Sequence, residues 1–166
     1  MSVIKFDTSD YERITEDQFV RFIDTTPEGN TRTWALIAAV EEGGAGIDYN
    51  PNIERLKLIV NQNATSDHTS NDKQMSVSYL AYKEDPCFAF VNAGRDKLNY
   101  KTNLLEVDLW NETQGTYSAK MSGATIGITS YHGDTIEFDV YTDGDPTDGT
   151  VSISNQNPTF TPTTSL

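Results

Sequence analysis

The sequence predicts a mainly β fold, a sandwich or barrel of about seven or more strands with one flanking α-helix. Three observations carry this expectation. Several segments alternate apolar and polar residues with the two-residue period of a half-buried strand. Turn-forming residues punctuate those segments at the spacing of a sandwich or barrel. One segment alone begins with strong helix-start chemistry, Asp85 followed by Pro86.

Taken in chain order, residues 15–23 are the first element. Thr15 suits a helix cap, but the run Phe19, Val20, Arg21, Phe22, Ile23 favours a strand. Residues 33–40 follow, with Trp34, Leu36 and Ala38 on one parity and Ile37 on the other. Residues 54–60 are a further strand. In residues 75–82, Val77 and Tyr79 oppose Ser76 and Ser78. The helix is expected over about residues 85–98, with Phe88 and Val91 on its buried face and Arg95 and Lys97 favourably placed for its dipole. Beyond it, Leu105, Val107 and Leu109 alternate with Glu106, Asp108 and Trp110. Residues 117–131 supply one strand or two. Ile136, Phe138 and Val140 then face away from Glu137, Asp139 and Tyr141, and residues 150–154 close the series. Turns are expected at residues 111–115, 132–134 and 143–149.

A chain of 166 residues supports one domain. Residues 1–154 are expected to form it, with long loops at 41–51 and 61–73, and residues 155–166 to form an extended or disordered arm rich in Asn, Pro and Thr. No apolar run reaches the roughly 20 residues that span a bilayer. The start, Met1-Ser2-Val3-Ile4-Lys5-Phe6-Asp7, lacks a basic stretch followed by an apolar one, so synthesis and retention in a cytoplasm are expected. The formal charge is −13, from 25 acidic and 12 basic residues. The acids are dispersed, which argues against binding a phosphate backbone through clustered lysine and arginine.

Few residues offer chemistry. His68 and His132 lack the spacing of a metal pair and read as surface histidines. Cys87 sits at a helix start, where a thiol can be activated, but Phe88 and Phe90 beside it favour a buried, inert side chain. Asp139, Asp143, Asp145 and Asp148 with Gly144 and Gly149 read as a tight turn or, against the usual helix-loop-helix spacing, as a calcium loop. There is no nucleophile elbow, phosphate loop or dinucleotide fingerprint, and neither an enzyme nor a cofactor is expected. A carbohydrate-binding or adhesive β-sandwich is the alternative reading. It draws on Tyr79, Tyr82, Tyr100, Tyr117, Tyr131 and Tyr141 as stacking surfaces.

A succession of segments resembles the major tail proteins, or tail tube proteins, of long-tailed, non-contractile bacteriophages. The segments are Lys5-Phe6-Asp7, Phe19-Val20-Arg21-Phe22-Ile23, Asp48-Tyr49-Asn50-Pro51, residues 81–91 (AYKEDPCFAFV), residues 105–110 (LEVDLW) and residues 144–151 (GDPTDGTV). They cover most of residues 5–154 in the family's order. Lys83-Glu84-Asp85-Pro86 stands where the family is expected to have glycine in place of Glu84.

The resemblance implies a β-sandwich with a flanking helix that forms homohexameric rings, stacked into the hollow tube of the virion tail. Its implied partners are other copies of itself, a tape-measure protein, and the tail terminator and tail-tip or baseplate proteins. Phage DNA would meet it only in passage, without specific binding, and no membrane is involved. Ring formation multiplies the −13 of each copy, and an acidic bore repels phosphates. Glu137 and Asp139, or Glu106 and Asp108, are the expected bore-facing acids. Tyr49, Asn50, Pro51, Asp67 and His68, in the two long loops, are the expected subunit contacts.

Overall fold

The computed structural model describes residues 9–60 and 62–164. Residues 5–7 of the resemblance, Asn61 of the second long loop and residues 165–166 of the C-terminal arm lie outside that range.

The architecture is mainly β, with a large antiparallel sheet and a single α-helix among the described residues. The strands are β1 (Phe19–Asp24), β2 (Trp34–Leu36), β3 (Ile47–Asp48), β4 (Pro51–Leu56), β5 (Thr65–Asn71) and β6 (Gln74–Leu80). After helix α1 (Pro86–Ala93) come β7 (Tyr100–Thr113), β8 (Thr116–Tyr131), β9 (Thr135–Ser154) and β10 (Asn157–Pro162). The main sheet runs β2-β1-β7-β8-β9-β6-β3, with β10 also paired to β9. Strands β4 and β5 form a separate two-stranded hairpin.

The three longest strands, β7, β8 and β9, carry the fold, and two-residue turns join β7 to β8 and β9 to β10. Gln114 and Gly115 take positive φ between β7 and β8, and Asn155 and Gln156 do so between β9 and β10. Residues 117–131 therefore belong to one strand, and the expected C-terminal arm is largely β10, zipped onto β9 from Asn157↔Ser154 to Pro162↔Gly149. Gly149 permits that pairing, since a Cβ there would meet Thr161 O and the Phe160 ring.

The expected turn at 143–149 does not form. The strand β9 passes straight through: Asp143 pairs with Gly123 and Thr147 with Met121, so residues 144–146 bulge opposite Ser122. Gly144, at φ 64°, suits the bulge as well as it would suit a turn. Among the described residues no three His, Cys, Asp or Glu side chains gather as a metal set.

Two apolar clusters fill opposite faces of the long strands. One gathers Ile23, Val77, Tyr79, Leu104, Ile126, Ile136, Phe138 and Val140 under α1. The other gathers Phe22, Leu105, Val107, Ala119 and Val151. Adjacent residues Leu104 and Leu105 thus enter different cores, as the pleat requires. Around the first cluster the sheet edges are bridged: Leu80 N–H donates to Ala39 C=O at 2.9 Å, and Ala38 N–H donates to the Tyr79 hydroxyl at 3.4 Å.

Helix α1 starts as expected. The Asp85 carboxylate accepts from Cys87 N–H at 2.9 Å and Phe88 N–H at 3.4 Å, and from the buried Tyr79 hydroxyl at 2.7 Å. It ends about one turn earlier than expected, at Ala93, because Gly94 lies flush against the Tyr100 ring and the chain turns there to enter β7. Arg95 and Lys97 consequently lie over the rings of Tyr131 and Tyr100 rather than along a helix end. Cys87 is fully buried, and desolvation pushes its thiol up to about 12.

A candidate assembly surface

Of the two polar stretches expected as loops, most of 61–73 joins one projecting arm together with the end of 41–51, whereas Ile47 and Asp48 pair into the main sheet and Ala45 is buried in the core. Pro51 pairs with Asn71, Glu54 with Asp67 and Leu56 with Thr65, so β4 and β5 fold back on each other as a hairpin whose strand residues are all solvent-exposed. The strand expected at 54–60 is present at 54–56, though exposed instead of half-buried, and the loop expected at 61–73 contains the strand β5. The cross-strand ladder and side-chain hydrogen bonds such as Asn52 Nδ2 to Ser70 Oγ at 2.9 Å hold these residues in register, since no large apolar side chain of 61–73 anchors them to a core.

This arm collects all five expected contact residues. Asn50, in the left-handed region at φ 41°, donates from its side chain to Asp72 C=O at 3.0 Å and turns the chain into β4 at Pro51. His68 Nε2 lies 2.7 Å from Asn71 Oδ1 and 3.1 Å from Ser70 C=O, while Asp67 sits opposite Glu54. Tyr49, half exposed, receives the Lys73 ammonium over its ring at 5.2 Å.

Lys73 ties the arm to the sheet. Its Nζ lies 2.6 Å from Glu106 Oε2, and both side chains are largely buried. Glu106 is therefore no solvent-side acid, and the expectation that it faces open space is corrected. Alternation identifies the face of β7 that Glu106 occupies; the strand pattern carries no sign that Lys73, distant in sequence, would cover it. Asp108 lies further along the same face and is half-buried.

The pairing register separates the four acids further. Glu106 pairs with Lys120, and Lys120 with Asp148, on the face that carries Leu104 and Val140. Glu137 and Asp139 alternate with Ile136, Phe138 and Val140 and so occupy the opposite face. There they pair with Ser78 and Ser76, forming a polar strip that Tyr141 extends by donating its hydroxyl to Asp139 at 3.1 Å. The two acid pairs do not share a surface.

Sequence reading missed the arm's apolar end. Leu56, Leu58, Ile59 and Val60 are all exposed, Ile59 completely. Together with Arg55 and Lys57 they make a basic, apolar segment in a strongly acidic chain. The signal was present: an apolar run flanked on both sides by long polar stretches, with no adjacent strand to share a core. An exposed apolar cluster on a projection marks a contact surface.

The tyrosines proposed for sugar stacking do not form one platform. Tyr79 is in the core, Tyr100 stacks on Phe90 at 4.8 Å, and Tyr131 is covered by Arg95 at 4.1 Å. No protein-family model matches this chain, and no curated protein does.

Proposed function

We propose that this chain is a structural building block, the tube-forming major tail protein of a long-tailed, non-contractile phage, and that it is not an enzyme. Six copies form a ring and rings stack into a tail tube around a tape-measure protein, bounded by terminator and tail-tip proteins. The subunit is made in the bacterial cytoplasm and resides in the virion tail. The observation that supports this best is the arm. A two-stranded hairpin with no core of its own, ending in four exposed aliphatic residues, has its apolar surface unsatisfied in a lone subunit.

The acidic strip fits the same reading. Glu137 and Asp139 share a polar face beside Ser76 and Ser78, where carboxylates repel a passing phosphate chain. Replacing both with lysine is expected to slow genome release, and unchanged release would remove them from the bore.

Negative-stain electron microscopy of the concentrated protein, alone and with a tail-tip initiator, tests the assembly. Rings or tubes are expected. Removing residues 55–66 is expected to abolish them while thermal unfolding persists, because no core residue is deleted. Tubes built from the shortened chain would refute the arm's role. A monomer under every condition would refute the tube.

A further inference from the structure

The subunit also carries a groove that matches its own arm. It lies between the 3-10 turn Glu16–Gln18, β1, β2 and the segment after β2, with a volume of about 560 Å³. Its apolar lining includes Phe19, Val20, Leu36, Ile37 and Val40. Asp17, Glu41 and Glu42 are exposed around it, while Glu16 is engaged with Gly43 N–H. Arg21, over nine-tenths buried, also lines the groove, and its Nε has no hydrogen-bond partner among the described residues.

We infer that this groove receives residues 55–60 of the arm from a second copy of the chain. The aliphatic side chains of Leu56, Leu58 and Ile59 fill the apolar floor. Arg55 and Lys57 meet the acids. Charge selects this occupant: residues 55–60 carry two bases and no acid, in a chain of net charge −13. The arm's own subunit does not seat it, since its tip is exposed.

Donor and acceptor are different surfaces of one molecule, so the contact is head-to-tail and propagates into a ring or a filament instead of closing as a dimer. One such contact is smaller than a stable interface of about 1,000 Å². It persists when several form together. The inference names the partner of the arm within the tube reading and rests on that reading for its biological setting, but its test does not.

The test mixes two single-cysteine variants of the full chain, Leu58→Cys at the tip and Ala38→Cys at the groove, under mild oxidation. Native Cys87 is buried and gives little background. Disulfide-linked dimers are expected in the mixture and not from either variant alone. Adding Glu41→Lys and Glu42→Lys to the groove partner should cut their yield at least about tenfold, because like charges then face each other. Arg55→Glu with Lys57→Glu in the tip partner should restore it. Rings or tubes in the microscope without the mixed cross-link would overturn the docking and leave the tube. A mixed cross-link in a protein that builds neither rings nor tubes would uphold the docking and overturn the tube. Neither product would overturn both. Cross-linking of Leu58→Cys alone at the mixture's rate would overturn the docking in favour of tip-to-tip pairing.

Discussion

Lys73→Met is expected to be among the most damaging single changes outside the two apolar cores. The substitution keeps the length of the side chain and removes its charge. It leaves the Glu106 carboxylate, about 5% exposed, without the ammonium that lies 2.6 Å away. Breaking a buried pair from one side costs about 3–5 kcal/mol, because the surviving charge stays desolvated. That is a large share of the roughly 5–15 kcal/mol that holds a domain together. For a chain of this size each kcal/mol moves the melting temperature by about 2–4 °C, so the variant should melt about 6–20 °C lower.

The assay is thermal and urea unfolding of Lys73→Met, Glu106→Gln and the double variant. The double variant should recover most of the loss, because neither a charge nor its counter-charge is then buried. Since Lys73 follows directly on the arm and lies over Tyr49, the single variant should also loosen the hairpin base, read as faster amide exchange at Asn71 and Asp72. A loss below about 1 kcal/mol for Lys73→Met would place the pair in the class of solvated surface bridges and refute this reasoning.

Three further outcomes are expected. Asp85→Ala removes the cap of α1 and the acceptor of the Tyr79 hydroxyl together, and should cost about 2–4 kcal/mol by urea unfolding, whereas Asp85→Asn should cost less. Burial raises both Cys87, to about 12, and Tyr79, so both groups favour the fold while protonated. That contribution is complete below about pH 9 and is lost as pH climbs toward 12, so stability should fall across that window, and Cys87 should resist thiol reagents at pH 8 until denaturant is added. Gly149→Ala should push β10 off β9 through its clash with Thr161 and Phe160, costing about 1–3 kcal/mol and exposing residues 157–162 to protease.

Much of the fold was legible because its signals are local. The alternation of Ile136, Phe138 and Val140 with Glu137, Asp139 and Tyr141 reflects the pleat of a strand, and the structure places these residues on opposite faces of β9 as that pattern requires. Asp85 and Pro86 placed the helix start for the same reason, since a cap acts on the next two or three backbone N–H groups. The signal failed where one residue chemistry serves two backbones. Asp, Gly and Pro at 143–149 satisfy a tight turn and a bulge alike, and only the continuous pairing of β8 with β9 selects the bulge.

The candidate site lay mostly beyond that reach. Tyr49 and His68 are nineteen positions apart, and what joins them is the β4–β5 ladder, a contact whose second strand is wholly polar and carries no period. An aliphatic run such as Leu56 to Val60 states that something must cover it; whether a core or another molecule does so depends on where the hairpin base points the strand. Glu106 makes the same point from the other side. Its parity was fixed by its neighbours Leu105 and Val107, but its burial was fixed by Lys73, thirty-three positions earlier in the chain. Local alternation sets the direction of each side chain, and long-range pairing sets what each one meets.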